Sequence, residues 1–215
     1  ISYVETNSFG KTEHINSITK IDSNEYMHLD SFTIKNLEIF ESLNGTQDAT
    51  LIKVVDKTQT AAGSRLLKIN LLKPLKNIKK INYRLDSISE LIENNYEFNL
   101  IYKTLNQVSD IERIIVKIAN DKSNPKDILN LSNSLNVIHK MKQIIKPSMK
   151  NICKKIKESN DLSEIINIIS KTIKEEPSVN ILKGGYILEG YSNELDELRN
   201  ISEKANDWLI KYQEK

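Results

Sequence analysis

Apolar residues recur three or four positions apart along most of the chain, which is the spacing that lines one side of an α-helix. The predicted fold class is mainly α: an antiparallel helical array with short connections and minor short β segments. The apolar positions predict a helix from residue 34 that stops near Asn44-Gly45, and further helices over residues 51–55, 66–71, 81–92, 105–118, 128–145, 149–156, 165–173 and 195–212.

Turn and capping residues mark where several of these helices begin and end. Asn124 followed by Pro125 places a good cap before a proline at the first helical position. Asp161, with Glu164 three residues later, predicts a capping box. Pro74 ends the helix before it, because its ring cannot continue a helix.

Two segments lack the helical period. Residues 1–26 are polar and predict a connecting segment, and Met27 and Leu29 alternate with more polar neighbours as in a short strand. Residues 181–190, with two adjacent glycines, predict a short extended hairpin or loop. We expect little hydrophobic core in either segment.

Composition narrows the class of protein. The formal net charge of the 215 residues is only +2, so any contact with DNA has to be local or indirect. Cys153 is the one cysteine, which excludes an internal disulfide and favours a reducing, cytoplasmic compartment. No run of about 18 apolar residues occurs, and we expect neither a membrane span nor an export signal.

Candidate catalytic and metal chemistry is sparse. The chain lacks the GxxxxGK[ST] loop that cradles phosphates. His14, His28 and His139 are far apart and lack partner ligands, and Cys153 on an apolar helix edge favours a buried thiol over a nucleophile. We therefore predict no catalytic, cofactor or metal site here.

Three further features have a functional and a structural interpretation. Glu194, Asp196 and Glu197 could form an acid/base pair or a cation site, but stabilisation of a helix N-terminus explains them more simply. The lysines between positions 68 and 80 could meet phosphates, although a solvated surface is favoured in so lysine-rich a chain. Trp208 could stack on a base, but its place on an apolar helix face favours packing.

Residues 27–38, MHLDSFTIKNLE, have a hydrophobic pair, Asp30, two variable residues, Thr33, two more, and then Asn36-Leu-Glu. This order resembles a pattern of the MutS family of DNA mismatch-repair proteins. Residues 56–67, DKTQTAAGSRLL, follow at the expected distance and resemble that family's Asp, Thr, Thr, Gly, Ser, Arg signature.

The resemblance continues through the second half of the chain and so covers nearly all of it. Residues 110–113, DIER, are similar to the family's Asp-Leu-Glu-Arg, and residues 190–199, GYSNELDELR, are similar to its Gly-Tyr-Asn-Glu-Glu-Leu-Asp stretch. Departures such as Ala61-Ala62 and Ser192 are mild, and they do not identify the subfamily.

The resemblance implies that the chain is a fragment of the MutS core or lever domain, domain III. Because the chain starts at Ile1 and ends inside a helical pattern, we expect an excised piece. By this resemblance, residues 1–26 are the end of a connector or linker and 27–98 a helical core subdomain. Residues 99–189 form a lever bundle with a Gly-rich hairpin, and 190–215 start a long lever helix leading towards a clamp outside this chain.

The function implied is to couple DNA clamp and mismatch binding to an ATPase domain elsewhere in the parent protein. The fragment itself would be no enzyme and hold no cofactor, while the parent would be a DNA-dependent ATPase that uses ATP and Mg. Its partners would be mismatched duplex DNA, a family dimer partner and a MutL-type repair factor. The candidates for structural or coupling roles are Asp30, Thr33, Asn36, Gly63, Arg65, Arg113, Gly190, Glu194 and Asp196.

Two alternatives stay open: a stand-alone helical protein-interaction scaffold, and the core of a MutS relative acting outside mismatch repair. The periodicity also predicts that Leu105, Ile115 and Leu135 are buried. Gly63 and Gly190 are expected either to allow a close backbone approach or positive φ, or to lie in a tolerant surface turn.

Overall fold

The computed structural model describes residues 25–46, 48–157, 159–178 and 181–213. These residues are mainly helical and contain almost no strand, which confirms the predicted fold class. The ten α-helices in the described residues are α1 (Ser31–Asn36), α2 (Leu51–Val55), α3 (Ala61–Leu72), α4 (Ile78–Glu93), α5 (Asn95–Leu105), α6 (Ile111–Ala119), α7 (Pro125–Ile144), α8 (Lys150–Lys157), α9 (Ser163–Thr172) and α10 (Asn193–Gln213).

Polar side chains begin most of the early helices by accepting hydrogen bonds from free backbone N–H groups. Asp30 accepts from the Thr33 amide at 2.6 Å, and Thr60 accepts from the Gly63 amide at 3.0 Å. Asn124 accepts from the Asp127 amide at 2.8 Å, while the Asp127 carboxylate accepts from the Asn124 amide at 3.2 Å. This capping box, together with Pro125, starts the 20-residue helix α7 where the sequence predicts it.

The single helix predicted over residues 105–118 is wrong, because two helices share this segment. Helix α5 ends at Leu105, and α6 begins at Ile111 after Asp110, whose carboxylate accepts from the Arg113 amide at 3.4 Å. The break resets the phase of the apolar face. Ile114 is therefore buried at 6% exposure, and Ile115, which the continuous pattern places inside, is 52% exposed.

Two other helix starts and ends differ from the prediction. The helix expected to stop near Asn44-Gly45 ends at Asn36, and Glu38 has a φ of +48°, which a helix cannot accommodate. The capping box predicted at Asp161 and Glu164 is also wrong, because α9 begins at Ser163 with Leu162 in the capping position. Asp161 instead accepts from the Ser163 amide at 3.0 Å and forms a turn before the helix.

The β structure in the described residues consists of two isolated antiparallel bridges, Tyr26 with Leu75 and Ile173 with Ile187. Residues 181–190 do not pair with each other as a hairpin would. They form a short 3₁₀ helix, Ile181–Lys183, and then Ile187 pairs back with the end of α9. The second bridge thus anchors the glycine-containing loop to the helical array.

Helix α7 lies at the centre of the packing, since α5, α6 and α9 all contact it, while α4 contacts α5 and α8. Ser134 of α7 is fully buried and accepts from the Ser109 amide at 2.9 Å, which ties the break between α5 and α6 to α7. Leu105 and Leu135 are half-buried. The buried apolar residues in the described part of the chain are Ile39, Ile114, Met149 and Ile169.

Candidate functional site

Arg65 joins helix α3 to the start of α6. Its two terminal nitrogens donate to the two carboxylate oxygens of Asp110 at 2.9 and 2.8 Å, 45 residues further along the chain. This parallel pair of charge-assisted hydrogen bonds fixes direction as well as distance. The guanidinium also contacts the Glu112 carboxylate in the first turn of α6. The orientation of α6 relative to α3 therefore depends on one arginine.

Asp110 serves two purposes at this position. Its carboxylate caps α6, and its hydrogen bonds from Arg65 hold its pKa below the ordinary value of 3.8. The hydrogen bonds to Asp110 raise the pKa of Arg65. Both members of the ion pair are therefore charged at neutral pH. Arg113 lies 3.3 Å from Asp110, but its side chain is 80% exposed, and water weakens such a contact.

The loop before α3 is held by the Asp56 carboxylate. One oxygen accepts from the Thr58 amide at 3.0 Å and from the Thr58 hydroxyl at 2.6 Å, and the other accepts from the Ser64 hydroxyl at 2.6 Å. The hydrogen bonds from Ser64 and Thr58 lower the pKa of Asp56. The loop is consequently tied to the helix that carries Arg65.

Helix α5 also contacts this loop through hydrogen bonds. The Tyr102 hydroxyl donates to the Lys57 carbonyl at 3.3 Å and accepts from the side-chain amide of Gln59 at 2.6 Å. We call residues 56–65 together with Tyr102 and Asp110 the signature junction, because it joins α3, α5 and α6. What this arrangement can do chemically is restrain helices, since most of its hydrogen bonds run between its own residues, although the Arg65 Nε is buried without a hydrogen-bond partner among the described residues.

Gly63 lies in the first turn of α3 without a positive φ, so close approach is what the glycine allows. A Cβ at this position would lie 3.0 Å from the Thr60 hydroxyl oxygen and 3.4 Å from the Thr58 Cβ. Any larger residue would push against the capping threonine.

A second cluster surrounds the start of α10. Gly190 has a φ of +81°, and its amide donates to Asp196 at 2.6 Å. Arg199 donates to the other Asp196 oxygen at 3.0 Å and to the Ile187 carbonyl at 2.9 Å. Glu194 is exposed in the first helical turn. The structure thus brings Gly190 and Asp196 together and adds Arg199, which its spacing of three residues from Asp196 could have indicated.

The remaining predicted site residues lie apart from both clusters. Asp30 and Thr33 form the cap of α1, and the hydrogen bond from the Thr33 amide lowers the pKa of Asp30. Asn36 is exposed at the end of that helix. Among the residues that the structure describes, no hydrogen bond links this cap to the signature junction.

Two glutamates that sequence reasoning missed organise the start of α8. The Glu90 carboxylate accepts from the Asn151 amide at 3.0 and 3.1 Å, so α4 supplies the cap of α8. Glu97, only 5% exposed, pairs with Lys146 at 2.5 Å, and this hydrogen bond lowers the pKa of Glu97. The Met149 side chain, just before α8, offers no oxygen to cap that helix, but this does not indicate which residue does so.

The other residues singled out from the sequence either lie outside the described residues or are exposed. His14 lies outside the described residues, as do the side chains of Cys153 and Trp208. His28 and His139 are exposed, and the described His, Cys, Asp and Glu side chains form no group of three arranged to hold a metal ion. Among the described helices, none has the length and apolar character that crossing a membrane requires.

The depressed pKa of Asp110 predicts a loss of stability in acid. A carboxyl whose folded pKa is lowered stabilises the fold above its unfolded pKa, and this stabilisation disappears as the pH falls through the folded pKa. We expect the free energy of unfolding in urea to decline below about pH 4. An Asp110→Asn chain should start less stable and decline less steeply, whereas parallel curves for the two proteins would contradict this linkage.

Comparison with known proteins identifies the family. The family model "MutS domain III" matches residues 32–213. The DNA mismatch repair protein MutS of Methanosarcina mazei is 34% identical over 221 aligned positions, covering 100% of this chain and 25% of the relative. The protein of the same name from Clostridioides difficile is 38% identical over 213 positions, covering 98% of the chain and 22% of the relative.

The match extends across the signature junction and the α10 cluster, and it leaves the greater part of each relative outside the alignment. The chain spans about a quarter of the length of the Methanosarcina mazei protein. A family model that matches most of the chain, supported by relatives more than 30% identical, decides the classification. The chain belongs to the MutS domain III family.

Proposed function

We propose that this chain is the structural and allosteric core, or lever, of a longer MutS-type DNA mismatch repair protein. In that role it couples DNA clamp and mismatch binding to an ATPase domain. The observation that carries the proposal is the domain III match over residues 32–213 in a chain that spans only a quarter of its relatives.

Uncovered apolar surface supports a place inside a larger protein. Leu85, Ile88 and Ile92 share one side of α4 by their spacing, and they are 53%, 52% and 71% exposed. Leu66 and Ile69 on α3 are also more than half exposed. Contiguous apolar patches of this kind mark surfaces that other segments or partners cover.

The helices themselves suit mechanical coupling. At about 1.5 Å per residue, α7 is a rod of roughly 30 Å, and stiff packed helices transmit displacement with little compliance. The fork between Arg65 and Asp110 fixes α6 to α3, so a movement of one helix is passed to the other. We assign residues 27–98 to a core subdomain, 99–189 to the lever bundle, and 190–215 to the start of the helix leading towards the clamp.

The remaining parts of the proposal follow from the family. ATP and Mg would bind elsewhere in the longer protein, and this segment would perform no catalysis itself. The partners would be mismatched duplex DNA, a family dimer partner and a MutL-type repair factor, in the cytoplasm. The coding sequence that follows this segment must then encode a phosphate-binding GxxxxGK[ST] loop, and a gene without one would favour a stand-alone helical scaffold.

The coupling role is tested in the full-length protein by Arg65→Lys, which keeps the charge and loses the planar fork. We expect unchanged basal ATP hydrolysis and DNA affinity, and a loss of roughly fivefold or more in the mismatch-dependent change of the hydrolysis rate. Arg113→Lys is the matched control, because Arg113 meets the same carboxylate from an exposed position.

Circular dichroism and thermal melting establish that both variants fold. A folded Arg65→Lys protein with full mismatch-dependent stimulation would contradict the coupling role of this contact. Equal losses in the Arg65→Lys and Arg113→Lys proteins would show that the effect does not depend on the fork between Arg65 and Asp110.

A further inference from the structure

A cleft of about 380 Å³ lies between the first turns of α4, the bridge of Tyr26 with Leu75, and α8. Its charged lining is cationic, and no carboxylate belongs to the lining in the described part of the chain. The residues that line it are Tyr26, Leu75, Lys79, Lys80, Tyr83, Arg84 and Lys155.

Helix stability does not explain this concentration of positive charge. The N-terminal end of a helix carries partial positive charge and favours acidic residues, yet the first turn of α4 has none and holds Lys79 and Lys80 instead. By contrast, the first turns of α6, α7, α9 and α10 all contain acidic residues. The α4 lysines are therefore placed where the helix itself repels them and where an anion would be attracted.

Partners inside the chain hold some of these cations in position and leave the cleft positive. Lys80 pairs with Glu25 at 2.6 Å, and Arg84 donates to the Asn70 side chain at 3.1 Å. Lys155 reaches over from α8 with its ammonium 5.2 Å from the Tyr83 ring centre. Among the lining residues and the partners named here, four cations face one carboxylate, so the described part of the cleft is net positive.

We propose that this cleft contacts the phosphodiester backbone of duplex DNA, which the proposed coupling role does not require. Lys79, Arg84 and Lys155 all line this one cleft, so their charges can act together on the phosphates of a strand that lies against it. The Tyr83 hydroxyl already donates to the Asn151 carbonyl at 3.1 Å, which holds this aromatic ring in the protein. The contact is thus electrostatic and independent of sequence.

The test uses this 215-residue chain, fluorescently labelled matched and mismatched duplexes, and anisotropy across about 50 to 200 mM salt. The cleft variant is Lys79→Gln with Lys155→Gln. The matched control is Lys126→Gln with Lys140→Gln, which removes the same charge from exposed positions of α7 outside the cleft.

For the wild-type chain we expect weak, salt-dependent binding that is equal for matched and mismatched duplexes. The cleft variant should bind about tenfold more weakly, and its slope of log affinity against log salt should flatten by about two. The control should stay within about twofold of wild type with an unchanged slope.

Three results would overturn the proposal. These are absent binding by the wild-type chain, equal weakening in the cleft and control variants, and release of the duplex by inorganic phosphate at concentrations where an equal ionic strength of chloride has no effect. The last would indicate a site for free phosphate. Failure here leaves the coupling experiment unaffected, because that experiment reads ATP hydrolysis and not binding by the isolated chain.

Discussion

Replacing Ile114 by aspartate is expected to destabilise the chain by about 3 to 5 kcal/mol, because it places an unpaired charge where a side chain is only 6% exposed. Helix α6 packs against α7, and Ile114 is the buried residue of α6, so water cannot reach the new carboxylate without a local opening of the structure. Urea unfolding followed by far-ultraviolet circular dichroism measures the change.

The neighbouring residue supplies the control. Ile115 is 52% exposed on the same helix, so Ile115→Asp should change the free energy of unfolding by about 1 kcal/mol or less. If both variants unfold to the same extent, α6 does not have the orientation that the structure assigns to it. If Ile115→Asp alone unfolds the chain, the continuous apolar pattern was correct and the helix break is wrong.

Truncating Met149 to alanine should have the second largest effect, a loss of about 2 to 5 kcal/mol. Its side chain has 0% exposure and follows the segment in which Lys146 pairs with Glu97 and Ser148 donates to Asn94 at 3.2 Å. Truncating this side chain therefore leaves a cavity next to a segment that two contacts anchor, and an anchored segment collapses poorly into a cavity.

Thermal unfolding of the Met149→Ala chain should show this loss as a melting temperature lowered by roughly 5 to 15 °C. Met27→Ala is the matched control, because Met27 is 52% exposed and should contribute little. A melting curve for Met149→Ala that matches the control would mean that residue 149 is not in the core.

Local patterns in the sequence predict most of the helices because capping and periodicity act within a few residues. The start of α7 follows from Asn124 and Pro125, and the end of α3 from Pro74. The break at residues 106–110 escapes this reasoning, since Leu105, Val108 and Ile111 keep helical spacing across it. There Asp110 caps a new helix and Arg65 holds the cap, which is tertiary information.

The candidate site shows the same division. Motif resemblance singles out Gly63, Arg65 and Arg113, but it does not indicate that Arg65 reaches Asp110 across 45 residues, or that Arg113 is the exposed partner. Nor could the role of Glu90 be found, because its carboxylate caps a helix that begins about 60 positions later. Contacts of this kind depend on how helices pack, and no local spacing encodes them.

The tie between Ser109 and Ser134 has a consequence for hydrogen exchange. An amide in a break between helices ordinarily exchanges its proton quickly, but the Ser109 amide donates to a hydroxyl that is fully buried in α7. Its exchange can proceed only when the corner between α5 and α6 lifts off α7. The exchange rate of this single amide therefore measures how often the corner between α5 and α6 separates from α7, independently of the unfolding of the helices themselves.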